Sequence, residues 1–218
     1  MAQFFSQFIE CGDLCFDVGA NEGKFTEVFL GLGAKVVCVE PQKTCVKQLQ
    51  KKFGHNPNVK IVGKALGSSE GYGELVICER ATTISTMSPQ WIKEGPFSKS
   101  HEWTKTEKVN VTTLDKLIET YGLPKFCKID VEAFELQVLK GLSRPIPFIS
   151  FEFHSEFLDE AKECIEYLPR LGQAKFNFVL EESMQFLFPK WMSMKELYKE
   201  LSEMSKPLLW GDIYVHIF

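Results

Sequence analysis

Apolar residues in this chain alternate between short dense runs and longer stretches in which they recur every three or four positions. The runs "LCFDV" (14–18), "KVVCVE" (35–40), "NVKIVG" (58–63), "KFCKID" (125–130) and "PFISFEFH" (147–154) are rich in β-branched and aromatic residues and have the length of strands. Helical periodicity fills the gaps between them. It runs from about Glu22 to Leu32, with Gly33 placed to end it, then over Thr44–Phe53, Asp115–Tyr121 and "EAFELQVLKGL" (132–142). A helical stretch near 156–168 then leads to the strand "KFNFVLEE" (175–182), a helix near 193–205 and a closing strand, "DIYVHIF" (212–218). "GYGELVIC" (71–78) reads as an extra strand, and "KVNVTTL" (108–114) alternates as an edge strand should. Strands alternating with helices predict βαβ units and a mostly parallel sheet. No internal repeat is visible. One stretch, residues 80–107, has no periodicity. A segment that long is either a lid over a site or a surface insertion, and Trp91 and Trp103 favour a lid that faces the substrate.

Composition refines this picture mainly by exclusion. With 218 residues the chain is expected to be a single domain, 1–218, with the lid or insertion at 80–107. A formal net charge of −4 gives no electrostatic reason to bind nucleic acid or an anionic membrane. The seven cysteines are odd in number and form no C-x-x-C pair, which points to core packing in a reducing compartment. The segment MAQFFSQFIECGD lacks the basic region of a signal peptide, and no run approaches the ~18 apolar residues of a membrane span. A cytoplasmic location is expected.

The chemistry collects where the predicted strands end. Open parallel α/β sheets bind ligands at the carboxyl ends of their strands, and five such ends carry unusual polar residues. They are Asp17-Val18-Gly19-Ala20-Asn21-Glu22-Gly23, Glu40-Pro41, Lys64-Ala65-Leu66, Asp130-Val131-Glu132 and Glu152-Phe153-His154. The first resembles a nucleotide-binding turn but is spaced D-x-G-x-x-x-G rather than G-x-G-x-x-G, with Glu22 where phosphate oxygens would have to approach. A ligand suited to this turn has no phosphates, carries positive charge and still offers a ribose; S-adenosylmethionine satisfies all three. Glu40 follows Asp17 by close to the ~20 residues expected of an acid that accepts both ribose hydroxyls. The competing reading is that Asp17 and Glu22 only cap a helix.

The blocks "FDVGANEGKFT", "VEP", "KALGSSEG", "VTTLDKLIE", "KIDVEAFELQVLKGL" and "ISFEFH", within residues 13–154, resemble the FkbM-type S-adenosylmethionine-dependent methyltransferases. The block KIDVE-x-x-E-x-x-VLKG is the most specific of these. The family's usual D-V-E-G-x-E reads Asp130-Val131-Glu132-Ala133-Phe134-Glu135 here, with Ala133 in place of a glycine. The resemblance implies a Rossmann-like class I methyltransferase. Its sheet would be seven-stranded and mostly parallel, with helices on both faces and an antiparallel last strand, and it would act on hydroxyl groups of sugars or other small molecules. The expected cofactor is S-adenosylmethionine, held by Asp17, Gly19, Ala20, Asn21, Glu22, Gly23, Glu40, Pro41, Ala65, Leu66 and Asp130.

An alcohol must lose its proton as it is methylated, and a positioned base helps. His154 is the leading candidate, with intrinsic pKa near neutrality; packing or capping the helix that follows is the alternative. Asp130 and Glu132 are expected on the same strand face as Lys128, which should neutralise Asp130, Asp17 or Glu152. Glu132 is then a substrate hydroxyl acceptor, a second base, or a first-turn acid of its helix. No ligand spacing demands a metal. Three rivals come from other classes: a non-catalytic cofactor-binding domain, a nicotinamide-dependent reductase, and a nucleic-acid methyltransferase, for which the chain lacks a basic patch and an N-P-P-Y-like block.

Overall fold

The computed structural model of the protein describes residues 1–203 and 210–218. Its strands are β1 (Leu14–Val18), β2 (Lys35–Val39), β3 (Val59–Val62), β4 (Ala65–Leu66), β5 (Gly71–Ile77), β6 (Lys105–Thr112), β7 (Phe126–Ile129), β8 (Phe148–His154), β9 (Ala174–Leu180) and β10 (Trp210–Ile217). Its helices are α1 (Ala2–Phe5), α2 (Lys24–Gly31), α3 (Lys43–Phe53), α4 (Pro89–Glu94), α5 (Leu114–Tyr121), α6 (Glu135–Leu139), α7 (Leu158–Tyr167) and α8 (Met194–Glu203). The end of the helix expected near 193–205 lies outside the described residues beyond 203.

Seven strands form one sheet in the order β3-β2-β1-β7-β8-β10-β9, parallel except for β10, which pairs antiparallel with both neighbours. The strand order reverses between β1 and β7, so the crevice outside their carboxyl ends is where a ligand can enter. Alternating residues send each strand into two cores. Phe16 and Val18 of β1, Cys127 and Ile129 of β7, and Ile149, Phe151 and Phe153 of β8 face a core closed by α5, α6 and α7. Cys15, Phe126 and Tyr214 face the opposite side, where Phe4, Phe5 and Phe8 of the N-terminal segment pack with Phe29 of α2. That segment had no assigned role in the sequence pattern. Its phenylalanines make edge-to-face contacts with Phe29, Phe126 and Tyr214 at 5.2–5.5 Å between centroids, in the range where such pairs add to simple burial.

Two expectations need correcting. The "edge" strand β6 is the middle of a separate three-stranded sheet, β4-β6-β5, parallel to β4 and antiparallel to β5. β4 has only two residues, too few to leave a periodic signal. The stretch from residue 80 is also not structureless: it holds a 3-10 turn (Thr82–Ile84), α4 and the start of β6. Helix α4 is started by Ser88, whose hydroxyl accepts from the Trp91 N–H, with Pro89 in the first turn. The local cap was legible in "SPQW", but the helix is too short to show a period.

Candidate functional site

A cavity of about 980 Å³ opens at the carboxyl ends of β1, β2, β7 and β8. Small-molecule pockets span roughly 300–1,000 Å³, so it has room for a cofactor and an acceptor together.

The first half is the turn between β1 and α2. Gly19 has φ +79°, and a Cβ there would lie 1.7 Å from the Asp130 carbonyl oxygen, so this position admits only glycine. Asn21 follows in the left-handed region, and its N–H donates to Glu40 Oε2 at 2.9 Å. The Gln42 N–H donates to Glu40 Oε1 at 2.7 Å. Glu40 thus ends β2 as a buried carboxylate with one donor on each oxygen, leaving a second lone pair on each. Burial pushes its carboxyl up to about 7, against the downward pull of the two N–H donors. Gly19, Ala20, Asn21, Glu22, Pro41, Ala65 and Leu66 also line the cavity.

Asp17 and Gly23 are not in that wall. The Asp17 carboxylate is 1% exposed and accepts the Thr26 hydroxyl at 2.5 Å and the Thr26 backbone N–H, anchoring the first turn of α2. Burial raises its carboxyl to about 6, less than it would without Thr26. For Asp17 the structure therefore gives the helix-capping arrangement, because its strand position points behind the turn; Glu22 faces the cavity. Gly23 starts α2 at φ +81°, and its missing side chain makes room for Phe53 and Leu49.

The second half lies across the reversal point. Lys128 is 1% exposed, and its Nζ is 3.0 Å from both Asp130 Oδ2 and Asp212 Oδ1. Burial works against its charge, but Asp130 and Asp212 outweigh it and hold the ammonium well above its usual pKa. Pairing with Asp130 fits the alternation of β7. Asp212 was not anticipated, because β10 brings it opposite Glu152 from the far end of the chain. Glu132 is beyond β7 and not on its face. Glu132 and Ala133 have φ +58° and +59°, so the helix expected from residue 132 begins only at Glu135. The Thr86 hydroxyl donates to the Glu132 carbonyl at 2.6 Å and the Val131 N–H donates to Glu135 Oε1, which pins the turn.

Glu132, Glu152 and His154 converge inside this half, with one ligating atom of each within 4.8 Å of the others. His154 Nε2 and Glu152 Oε2 are 3.3 Å apart but not aligned as a hydrogen bond; both atoms, and Glu132 Oε2, are buried without a hydrogen-bond partner. Burial first, then the neighbouring carboxylates, pushes Glu132 and Glu152 well above the ordinary carboxylate range, and burial lowers His154. The imidazole is held by Trp91 edge-on at 4.7 Å and Trp210 nearly parallel at 6.3 Å. Trp91 is fully buried and Trp103 donates its indole N–H to the Ile84 carbonyl, so neither tryptophan faces the cavity as expected of a lid. Thr82, Thr86 and Phe97 of the same segment line it instead.

The methyltransferase FkbM domain matches residues 17–202. The chain belongs to that family. No curated protein matches it. Among solved structures, the FkbM chain is similar to precorrin-6y C5,15-methyltransferase from Geobacter metallireducens, at 11% identity and TM-score 0.52, covering all of this chain and 86% of that one. An rRNA methylase from Streptococcus thermophilus (11%, TM-score 0.44, covering 100% and 93%) and a TehB-like SAM-dependent methyltransferase from Corynebacterium glutamicum (11%, TM-score 0.46, covering 98% and 85%) are looser likenesses. The fold is the class I methyltransferase fold, and the cofactor of this FkbM domain is S-adenosylmethionine. The first half of the cavity fits that group: Glu40 keeps acceptor capacity for two ribose hydroxyls, and the Gly19–Glu22 turn lines the wall beside it.

Proposed function

We propose that the protein transfers a methyl group from S-adenosylmethionine to a hydroxyl of a sugar or another small molecule. The observation that carries this reading is the pairing of two unlike halves in one cavity: Glu40 with spare acceptor capacity at one end, and the unpartnered Glu132, Glu152 and His154 atoms at the other. When bound, S-adenosylmethionine supplies a methyl group on a sulfonium, and in-line displacement then depends on positioning. Glu40 would hold the ribose, and the Gly19–Glu22 turn would hold the amino-acid end. At the other end the carboxylate–imidazole cluster would orient the acceptor hydroxyl and take its proton. Residues 80–107 would select the acceptor, since Thr82 is bonded to Asn21 and Gln42 in one half and Thr86 to the Glu132 turn in the other.

A small acceptor suits the charge of the site better than a polynucleotide. The cavity is lined by nine carboxylates, Asp130, Glu132, Glu152 and Asp212 among them, against three lysines and one arginine, and phosphate backbones call for the reverse balance. No described helix is long and apolar enough to cross a membrane; the cytoplasmic reading is supported by the seven free cysteines, which suit a reducing compartment. Calorimetry with S-adenosylmethionine, its demethylated product and NAD tests the cofactor. Labelled-methyl transfer to a panel of sugars, hydroxylated metabolites and structured RNA tests the acceptor. Saturable binding of both sulfur ligands with transfer to a hydroxyl is expected. Transfer to RNA alone would overturn the acceptor class, and cofactor binding without transfer to any acceptor would favour a non-catalytic domain.

A further inference from the structure

We propose that Glu132, Glu152 and His154 form a binding site for one divalent transition-metal cation of the Mn²⁺ or Zn²⁺ type. The three donors come from the turn after β7 and from alternate positions at the end of β8, and their ligating atoms already lie within 4.8 Å of one another. Neighbouring ligand atoms ~2.0–2.2 Å from a metal are ~3–3.8 Å apart, so at the widest separation each side chain has to move inward by roughly 0.5–1 Å.

Charge balance points the same way. Lys128 is engaged by Asp130 and Asp212, and among the described residues no Lys or Arg forms an ion pair with Glu132 or Glu152. Buried carboxylates require a counter-charge or a proton. Asp130 is within hydrogen-bonding reach of Glu152, so one shared proton can satisfy that pair. It cannot serve Glu132 Oε2 or His154 Nε2, which stay buried and unpartnered. Glu132 is more than nine-tenths buried, and its side chain is turned into the cavity by two successive left-handed residues. A divalent cation would satisfy all three atoms at once. Two carboxylate oxygens and an imidazole, with no thiolate, suit Mn²⁺, Fe²⁺ or Zn²⁺. Three protein ligands would leave positions open toward the cavity, where a cation would make an acceptor hydroxyl more acidic. That consequence rests on the hydroxyl-acceptor reading, but binding of the ion does not.

The test is titration of chelator-stripped protein with Mn²⁺ and with Zn²⁺ by calorimetry, alongside pulsed electron paramagnetic resonance of the Mn²⁺-loaded protein. One ion per chain is expected, weakened at least tenfold in both Glu132→Gln and Glu152→Gln, with S-adenosylmethionine affinity retained as the check on folding. A nitrogen coupled directly to Mn²⁺ should be present in the wild type and lost in His154→Gln. Lack of saturable one-to-one binding, or binding indifferent to all three substitutions, overturns the site and leaves the shared proton. Should Glu132→Gln fail to fold, the nitrogen signal and its loss in His154→Gln decide. Metal binding without methyl transfer to any hydroxyl would keep the cation site and overturn the acceptor.

Discussion

The two halves of the cavity handle buried acid in opposite ways. In the cofactor half every buried carboxylate is matched by nearby donors: Thr26 serves Asp17, and the Asn21 and Gln42 amides serve Glu40. Those donors lie three to eight residues beyond the end of β1 or β2, so the half is built locally. In the acceptor half Lys128 pairs with Asp130 and Asp212, Glu132 and Glu152 have no lysine or arginine partner among the described residues, three of the site's buried polar atoms have no hydrogen-bond partner, and two successive non-glycine residues are left-handed. Its parts come from the turn after β7, from β8, from β10 and from the segment around Thr86. A half whose carboxylates are matched is suited to hold one ligand in one way, and a half whose carboxylates are not is suited to receive something that completes it.

The sharpest way to break this contrast is to remove a group from the unsatisfied half alone. His154→Ala should leave S-adenosylmethionine affinity nearly intact and lower turnover by ~10²–10⁴-fold, whether the imidazole takes the proton itself or holds the cation that acidifies the hydroxyl. Steady-state kinetics and calorimetry on the same preparation check both parts. A parallel loss of both would mean that the halves are one unit. The mirror experiment is Glu40→Ala, which should weaken the cofactor by ~1–3 kcal/mol, the range for hydrogen bonds to a charged group. An unchanged dissociation constant in a folded variant would remove Glu40 from the ribose.

Acidity sharpens the comparison further. The Glu40 carboxyl is pushed up to about 7 in the free protein, and two ribose hydroxyls donate best to its ionised form. Cofactor affinity should therefore fall as pH drops through 7, approaching tenfold per unit below it. Stability of the free protein runs the other way. Carboxyls whose folded pKa exceeds the unfolded value bind protons preferentially in the folded state, so they favour folding more at low pH. Between about pH 4.5 and 7 for Glu40, and between about pH 3.8 and 6 for Asp17, these groups should make the cofactor-free protein less stable as pH rises. Thermal unfolding and calorimetry over one pH series should give opposite slopes, and in Glu40→Gln the affinity slope should flatten.

The same local-versus-distant division explains what could be read from the sequence. Strand β1 and the core strands β2, β7 and β8 show in their apolar runs, and Glu40 is found from its spacing to the first turn. Spacing alone puts Asp17 in the ligand wall; the side of β1 it points to makes it a helix anchor. Asp212 and Thr86 could not be found in this way. Each is unremarkable among its sequence neighbours and acquires a role only when β10 or the residues after β5 are folded against β7. Helix α4 and strand β4 are shorter than the window a periodicity needs. Glu132 was assigned to a helix because "EAFELQVLKGL" is periodic throughout, whereas the tertiary bond from Thr86 holds its first residues out of the helix.

The smallest expected effect concerns the strain in that turn. Ala133 stands at φ +59°, in the left-handed region that favours glycine. A left-handed alanine costs roughly 1–2 kcal/mol relative to its right-handed form. Glycine removes that cost but adds unfolded-chain entropy worth about 0.5–1 kcal/mol. The first term is the larger, so Ala133→Gly should stabilise the protein by up to ~1 kcal/mol, or about 2–4 °C in Tm for a chain of this size. Neighbouring Glu132 provides the control. It is left-handed for the same geometric reason, but its side chain lies in the cavity. Glu132→Gly should relieve similar strain and also remove a carboxylate that has no partner, so its Tm should rise at least as much while turnover collapses. Turnover that survives Glu132→Gly would make the turn a structural feature only; a fall in Tm in Ala133→Gly would mean that the alanine methyl makes packing contacts worth more than the strain.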